Sequence, residues 1–150
     1  MDSSLLPMHS SRRDMRALSF YLLYAMDAFD YTVDLPTVIK EFNTGFDLAI
    51  NLEGEEAVMV SQIIDNKDVF EKMLVPLFAN WRPERIGRCT YLILLMATWE
   101  LFFTKNAPTI IINEAIELSK CFSEKDAYKF INGVLDELFK RFQDRVMPTL

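Results

Sequence analysis

Glycine, proline and histidine are scarce in this chain. Its 150 residues include four glycines, six prolines and one histidine. A fold of many short strands needs more turn-forming residues than this, so the composition argues against a turn-rich β fold. The single histidine, His9, stands in a polar N-terminal stretch. One histidine cannot by itself anchor a catalytic triad or a metal site.

Motifs for nucleotide binding and catalysis are also absent from the sequence. Neither G-x-G-x-x-G nor G-x-x-x-x-G-K-[ST] occurs. Glu114 and Glu117 lie three residues apart beside Lys120, a spacing typical of a solvated helix face. We therefore expect no catalytic residues, no metal ligands, no cofactor and no enzymatic activity.

Long apolar runs are missing as well. The most apolar stretch, residues 91–103, has about 13 residues, whereas a membrane-spanning helix needs about 20. Residues 1–11 are too polar for a secretory leader. Cys89 and Cys121 are far apart in apolar surroundings and are interpreted as reduced core thiols. These features predict a soluble cytoplasmic protein without membrane contact.

What the chain has in quantity is apolar and acidic residues. Apolar residues make up 51%, which excludes a disordered tail, and the formal net charge is −6. Such a balance argues against a protein that binds nucleic acid through bulk charge, although a local basic patch stays compatible with it. Leu, Ile, Met, Phe and Glu dominate, and these residues favour helices.

The apolar periodicity predicts an all-α fold that begins with a helix from Ser11 to about Phe29. Ser11 stands three residues before Asp14, the spacing of a capping box. Apolar residues then recur at steps of three and four, and further aromatic and leucine residues widen the stripe enough to predict burial on more than one side. The stripe consists of Met15, Leu18, Leu22, Met26 and Phe29.

Residues 30–54 are less regular. Leu35 and Pro36 are expected to open a short helix that ends at about Phe42. Apolar residues then alternate with polar or small ones from Phe46 to Leu52, a period typical of a strand. Because the sequence offers no second strand to pair with, we predict an extended connection instead.

Two further helical stretches occupy the middle of the chain. Residues 55–81 are predicted helical, with a break at Asp65–Asn66 and an end or kink at Pro76. The next helix is expected to start at Pro83 and to run to about Phe103. It is apolar nearly all round, so we predict that it is the central buried helix.

The last two helices are predicted around a short break at residues 123–126. Pro108 opens the first of them, and Ser123 with Asp126 has the spacing of a variant capping box for the second. Gly133 is interpreted as a position of close helix packing. The expected buried stripes are Ile112, Ala115, Ile116, Ser119 and Phe122 in the first helix, and Ile131, Val134, Leu135, Leu138 and Phe142 in the second.

Two blocks of these last helices resemble the signature of the NusB family of transcription antitermination factors. They read Asn-Glu-Ala-Ile-Glu-Leu-x-Lys-x-Phe over residues 113–122 and Lys-Phe-Ile-Asn-Gly-Val-Leu-Asp over residues 129–136. A Trp-x-x-x-Arg-Ile turn at residues 81–86 is similar to the family's too. The resemblance implies six or seven helices in two packed helical subdomains. We expect a flexible tail at residues 1–10, followed by a single NusB-like domain at residues 11–145.

The resemblance also implies a function, which is RNA binding without catalysis. Family members bind a boxA-like single-stranded element of ribosomal RNA together with a small-subunit ribosomal protein. The complex then joins the RNA polymerase elongation complex and other antitermination factors. Thr90 and Leu95 depart from positions that are often acidic and basic in the family, the first of which helps to bind the ribosomal protein. Some members form homodimers, and the sequence leaves that state open.

The family's RNA-binding positions fall on two parts of this chain. Arg12, Arg13 and Arg16 are expected to share one side of the first helix, either as a solvated helix start or as a phosphate-binding patch. Phe130 is interpreted either as a rim residue of the core or as a partly exposed ring that stacks on an unpaired base. The resemblance favours the RNA-binding interpretation in both cases. It adds three neighbouring candidates, Asp126, Lys129 and, by alignment with an aromatic position, Phe78.

Two other functions stay open at this point. One is a protein–protein adaptor of the same fold with weakened or lost RNA binding, which the acidic balance, Asp14, Thr90 and Leu95 favour. The other is an accessory RNA-binding module related to rRNA methyltransferases, for which 150 residues leave no room for a catalytic domain.

Overall fold

The computed structural model describes residues 11–78 and 86–149. Within these ranges the chain contains seven α-helices, one 3₁₀ helix and no strand, which confirms the prediction of an all-α fold. The expected flexible tail at residues 1–10 lies outside the described residues. The helices are α1 Arg12–Ala28, α2 Leu35–Phe46, α3 Glu55–Asp65, α4 Lys67–Leu74, the 3₁₀ helix Val75–Phe78, α5 Arg88–Phe103, α6 Pro108–Phe122 and α7 Ala127–Arg141.

The chain divides into two compact units, residues 1–64 and residues 65–150. The first unit holds α1, α2 and nearly all of α3, and α1 packs against α2. The second holds α4 to α7, and α5 contacts α4, α6 and α7. Two helical subdomains were predicted, and the boundary falls at the break between α3 and α4.

Helix α1 starts where the sequence predicts. Ser11 has extended backbone angles, and its hydroxyl accepts a hydrogen bond of 3.0 Å from the amide of Asp14. This bond satisfies one of the amides that a helix start leaves without a partner. Burial on more than one side is confirmed, because Leu22 and Leu23 are both fully buried. Phe29, at the C-cap, is the one member of the predicted stripe that is exposed.

Helix α2 is longer than predicted. Asp34 caps its start by accepting from the amide of Thr37 at 2.9 Å, and the helix continues to Phe46 instead of ending near Phe42. Asp47 ends it in the left-handed conformation with φ of 53°. The Asn43 side chain then bonds both backbone groups of Ile50, at 2.8 and 3.1 Å. These bonds anchor the connection that follows, in which residues 48–51 have no regular secondary structure and form no strand, as predicted, whereas Phe46 belongs to α2.

The breaks at Asp65–Asn66 and Pro76 are confirmed. Helix α3 ends at Asp65, Asn66 precedes α4, and Pro76 lies in the 3₁₀ helix that follows. Proline cannot donate a backbone hydrogen bond, so the regular helix ends just before it.

Helix α5 is the buried centre of the second unit, as predicted, but its start was placed too early. Every residue from Leu92 to Leu101 is buried. Gly87 is its N-cap with extended backbone angles, so the helix begins at Arg88 and does not continue from Pro83. Pro83 and its neighbours in residues 79–85 lie outside the described ranges. Glycine is a favoured N-cap residue, and the extended backbone angles of Gly87 are typical of that position.

The junction between α6 and α7 differs from the predicted capping box. Ser123 is the C-cap of α6, and its hydroxyl accepts a hydrogen bond of 3.1 Å from Thr90. Asp126 precedes α7 without a side-chain capping bond. The predicted box is wrong because the Ser123 hydroxyl faces the first turn of α5 and not the amide of Asp126.

The buried face of α7 agrees with the predicted stripe, whereas the buried face of α6 departs from it. The α7 stripe is confirmed up to Leu138, whereas Phe142 is only half-buried. In α6 the buried face is rotated slightly, since Ile111 and Leu118 are buried while Ile112 and Ile116 are half-buried. A run of three isoleucines cannot by itself indicate which of them points inward.

Two smaller expectations are wrong. Cys121 is exposed and Cys89 half-buried, so the cysteines are not both core residues, and neither forms a disulfide in the described part of the chain. Gly133 is exposed, and a Cβ atom added there would meet nothing within 4 Å, so it does not mediate close helix packing. Across residues 11–78 and 86–149, no helix combines the length and the apolar character that crossing a membrane requires.

Candidate nucleic-acid interface

The first candidate surface is the start of α1, in the first unit. Arg12 and Arg13 are exposed there, next to the positive end of the helix dipole. The Arg12 guanidinium lies 3.4 Å from both carboxylate oxygens of Glu55, with side-chain exposures of 72% and 67%. An ion pair so exposed contributes about 0.2–1 kcal/mol, so water or a phosphate competes with it readily.

Arg16 does not share this surface. It is 5% exposed, although it stands four residues after Arg12. The reason is its place on the helix, because Ser19 and Phe20, three and four residues further on, are also buried. The expectation that three arginines share one exposed side is therefore wrong for Arg16. Arg12 and Arg13 remain as the arginines that an external anion reaches.

The second candidate surface surrounds the start of α7, in the second unit. Phe130 and Phe78 meet there with ring centroids 5.4 Å apart and planes tilted by 50°. They are 6% and 3% exposed, so the pair belongs to the core. Of the two interpretations of Phe130, the core residue is confirmed and the partly exposed ring is wrong, because Phe130 lies on the same side of α7 as Val134 and packs on the 3₁₀ helix. Burial on this side leaves no open ring face for a base.

Asp126 and Lys129 are exposed at this start of α7. Their charged groups are 3.9 Å apart, with side-chain exposures of 73% and 64%. The pair lies just before the first turn and within it, where the carboxylate of Asp126 interacts favourably with the helix dipole. Lys129 has the reach and charge to contact a phosphate, and Asp126 offers an acceptor to a base amino group.

The sequence interpretation missed Tyr128. Its side chain is 37% exposed, and the Lys129 ammonium lies 5.9 Å from the centre of its ring. This distance is at the outer limit of a cation–π contact. The signal was present in the sequence, since Tyr128 stands outside the buried α7 stripe and directly before Lys129.

Thr90 and Leu95, the two departures from the family pattern, are both buried. Thr90 donates its hydroxyl to Ser123, and Leu95 is one of the fully buried residues of α5. Neither side chain is on the surface in this conformation.

Two exposed charged groups in the described residues have shifted pKa values, and in both cases the cause is a neighbour on the same helix or at its cap. Asp136, 3.1 Å from Lys140, raises the pKa of that lysine through a hydrogen bond and the opposite charge. The hydroxyl of Thr37, and then its amide, lower the pKa of Asp34. Over the described ranges, no group of three or more His, Cys, Asp or Glu side chains is placed to hold a metal ion.

Comparison with known proteins shows a match along most of the chain. The NusB family model matches residues 13–140. "Transcription antitermination protein NusB" of Geotalea uraniireducens is 32% identical over 91% of this chain and 99% of the relative. The protein of the same name from Oleidesulfovibrio alaskensis is 34% identical over 90% and 91% of the two chains.

Solved structures agree on the fold. "T. maritima NusB" superposes with a TM-score of 0.74, at 24% identity over 92% of this chain and 98% of that one. A chain in "Crystal Structure of a Plectonemic RNA Supercoil" gives the same TM-score at 22% identity, over 90% and 98% of the two chains. Both similarities establish the fold alone. Together with the family match and the sequence relatives, they lead to one conclusion: this chain belongs to the NusB family.

Proposed function

We propose that the chain is a non-enzymatic transcription antitermination factor that binds a boxA-like single-stranded rRNA leader sequence. The observation that carries the proposal is the agreement of relatives named for antitermination along nearly their full length. The exposed arginines at the start of α1 support an RNA-binding role, because arginine forks and a helix N-terminus both favour phosphate.

Arg13 is the central phosphate contact of this proposal. It is exposed on the first turn of α1, beside Arg12, whose charge is shared with Glu55. Asp14 is half-exposed on the same turn and offsets part of the positive charge. Arg16 acts through the packing of α1, since its side chain is buried. The chain would thus bind RNA with fewer arginines than the sequence suggested.

The start of α7 supplies the second set of contacts. Lys129 neutralises a phosphate, and Asp126 accepts a hydrogen bond from a base. Phe130 packs on Phe78 in the core and thereby holds the first turn of α7 in place. This division of roles follows from burial, because an aromatic ring stacks on a base only where one face is open. Phe130 and Phe78 therefore stay in the proposed site as supporting residues.

The proposed protein partners are those expected of an antitermination factor of this family. A small-subunit ribosomal protein would bind a second face and tighten the grip on RNA, and the assembly would then join the RNA polymerase elongation complex. The burial of Thr90 and Leu95 supports this part of the proposal, because neither departure from the family pattern alters an exposed side chain.

Fluorescence anisotropy tests the RNA contact at Arg13. A labelled boxA-like 12-mer and a scrambled 12-mer are titrated at several salt concentrations with wild type, Arg13→Ala and a matched control, Arg141→Ala. Arg141 is also exposed, and it pairs with Glu137 at the far end of α7. Each phosphate contact with a single strand adds about 0.7 to the slope of log affinity against log salt.

We expect Arg13→Ala to weaken binding and to reduce that slope by about 0.7, while Arg141→Ala leaves both nearly unchanged. Equal effects of the two variants would show that only net charge matters and would contradict a contact at Arg13.

One observation favours a second function, a protein–protein adaptor with weak RNA binding. Arg16 is buried, so it adds no exposed charge to this surface, and Glu55 offsets part of the charge of Arg12. An adaptor would bind its ribosomal partner without RNA, and its RNA affinity would show little dependence on salt.

A further inference from the structure

Tyr128 has the open aromatic surface that Phe130 lacks. It is the second residue of α7 and is 37% exposed, whereas Phe130 is 6% exposed two positions later. The Lys129 ammonium lies 5.9 Å from the centre of the Tyr128 ring. Proteins that bind single-stranded nucleic acids combine an exposed aromatic ring with a nearby cation, since a base stacks on the ring and its phosphate contacts the cation.

Gly133 is the second unusual feature of this part of α7. It lies in the middle of a 15-residue helix, where glycine is less favourable than alanine. Its φ is not positive, and a Cβ atom there would meet nothing within 4 Å. Neither backbone conformation nor packing within the chain requires a glycine. Its consequence is a bare stretch of helix backbone that an outside molecule can approach closely.

These residues lie together on one face of the helix. Residues four apart are neighbours on a helix surface, so Tyr128 stands beside Asn132, and Lys129 stands beside Gly133. All four are exposed. We call these four residues the α7 platform. It combines an aromatic ring, a cation, a side-chain amide and a gap left by the glycine.

We propose that the α7 platform binds one unpaired nucleotide of an RNA strand, with the base stacked on Tyr128. Asn132, one turn further, bonds an edge of that base, because its amide both donates and accepts. Lys129 contacts the phosphate, and Gly133 lets the sugar–phosphate backbone pass close to the helix. This inference deepens the proposed function and rests on it, since it names the aromatic contact of the same RNA.

The composition of the platform favours RNA over a protein partner. Tyr128 is its one large apolar group, and a charged residue, an amide and a glycine make up the rest. Protein–protein interfaces are depleted of lysine and charge at their centres and need a larger apolar area. Recognition of a single unpaired base needs only one ring and one or two hydrogen-bonding groups.

Four variants test the platform by anisotropy with the labelled boxA-like 12-mer. Tyr128→Ala removes the ring, and Tyr128→Phe restores it without the hydroxyl. Gly133→Ala fills the gap, and Gly45→Ala is its matched control, because Gly45 is also exposed within a helix with open space around it. Melting temperatures of all four establish that they fold.

We expect Tyr128→Ala to weaken RNA binding by about 5- to 150-fold, the range for loss of one base–aromatic stack. Tyr128→Phe binds within about twofold of wild type if stacking is the source of affinity. Gly133→Ala binds RNA more weakly although its melting temperature is equal or higher, whereas Gly45→Ala changes only the melting temperature. A 4-thiouridine-substituted 12-mer is expected to crosslink to a peptide that contains Tyr128.

The possible outcomes distinguish failure of the α7 platform proposal from failure of the proposed RNA-binding function. If wild type prefers boxA-like RNA and Arg13→Ala weakens it, but Tyr128→Ala binds as wild type does, the platform is refuted and the proposed function stands. If Tyr128→Ala and Gly133→Ala lose only the ribosomal protein, the face belongs to a protein partner and the inference is overturned. Absence of any preference by wild type overturns both proposals.

Discussion

Replacing Phe130 by alanine distinguishes a core residue from a base-stacking one. Its ring is 6% exposed and lies 5.4 Å from the ring of Phe78, which is 3% exposed. Removal of the ring would leave a cavity between α7 and the 3₁₀ helix. The neighbouring Val134 is also buried and extends the same packed side of α7.

The expected cost follows from this burial. Truncating a buried phenylalanine to alanine costs about 3–5 kcal/mol, which includes both the lost transfer free energy and the cavity. Folded domains have a total free energy of unfolding of about 5–15 kcal/mol. For a chain of this length, 1 kcal/mol corresponds to about 2–4 °C, so we expect the melting temperature to fall by about 6–20 °C.

Thermal unfolding followed by far-ultraviolet circular dichroism measures this change, with Phe130→Leu as the control. Leucine keeps most of the apolar contact and is expected to lower the melting temperature by less. At a temperature where Phe130→Ala is still folded, we expect its loss of RNA-binding free energy to be much smaller than its loss of free energy of unfolding. A variant that melts like wild type but loses RNA tenfold or more would refute the burial of Phe130 and restore the stacking interpretation.

Three further substitutions test local features of the first unit. Glu55→Gln releases Arg12 from its ion pair and is expected to tighten RNA binding by up to about fivefold at low salt; anisotropy that shows no change would mean that Arg12 does not face the RNA. Gly45→Ala should raise the free energy of unfolding by about 0.5–1 kcal/mol, measured by urea denaturation, because alanine favours a helix and meets no neighbour; destabilisation would contradict the open space there. Thr37 lowers the pKa of Asp34 in the folded state, so the Asp34 carboxylate stabilises the fold above its unfolded pKa, and this stabilisation is lost as the pH falls through the folded pKa. Asp34→Asn keeps a cap without the charge, so its melting temperature should approach that of wild type as the pH is lowered from about 6 to about 3, and a constant difference would argue against the bond.

The sequence predicted helices well where local chemistry determines them. Ser11 caps α1, Pro76 ends a regular helix and Asp65–Asn66 separates two helices, as expected. Each of these features depends on a hydrogen bond or a backbone restriction within a few residues. The uninterrupted apolar run of α5 likewise predicted its burial, because such a helix has no polar side to expose.

Predictions that depend on distant neighbours were less successful. Ser123 has the spacing of a cap, but Thr90, 33 residues earlier in the chain, takes its hydroxyl. Arg16 and Phe130 were both expected at the surface in the RNA-binding interpretation, yet both are buried by packing that periodicity does not reveal. Tyr128 was overlooked although it stands outside the apolar stripe of α7, because the sequence interpretation assigned the aromatic contact to Phe130, which the structure shows as buried.

The central claim is that this NusB-family chain selects boxA-like RNA. The most direct measurement is equilibrium binding of a boxA-like 12-mer and a scrambled 12-mer by the full chain, alone and with a small-subunit ribosomal protein. We predict tighter binding of the boxA-like RNA, a steep loss of affinity with salt and a further gain when the ribosomal protein is present. Equal affinity for the two RNAs under both conditions would contradict the claim and would favour the adaptor function.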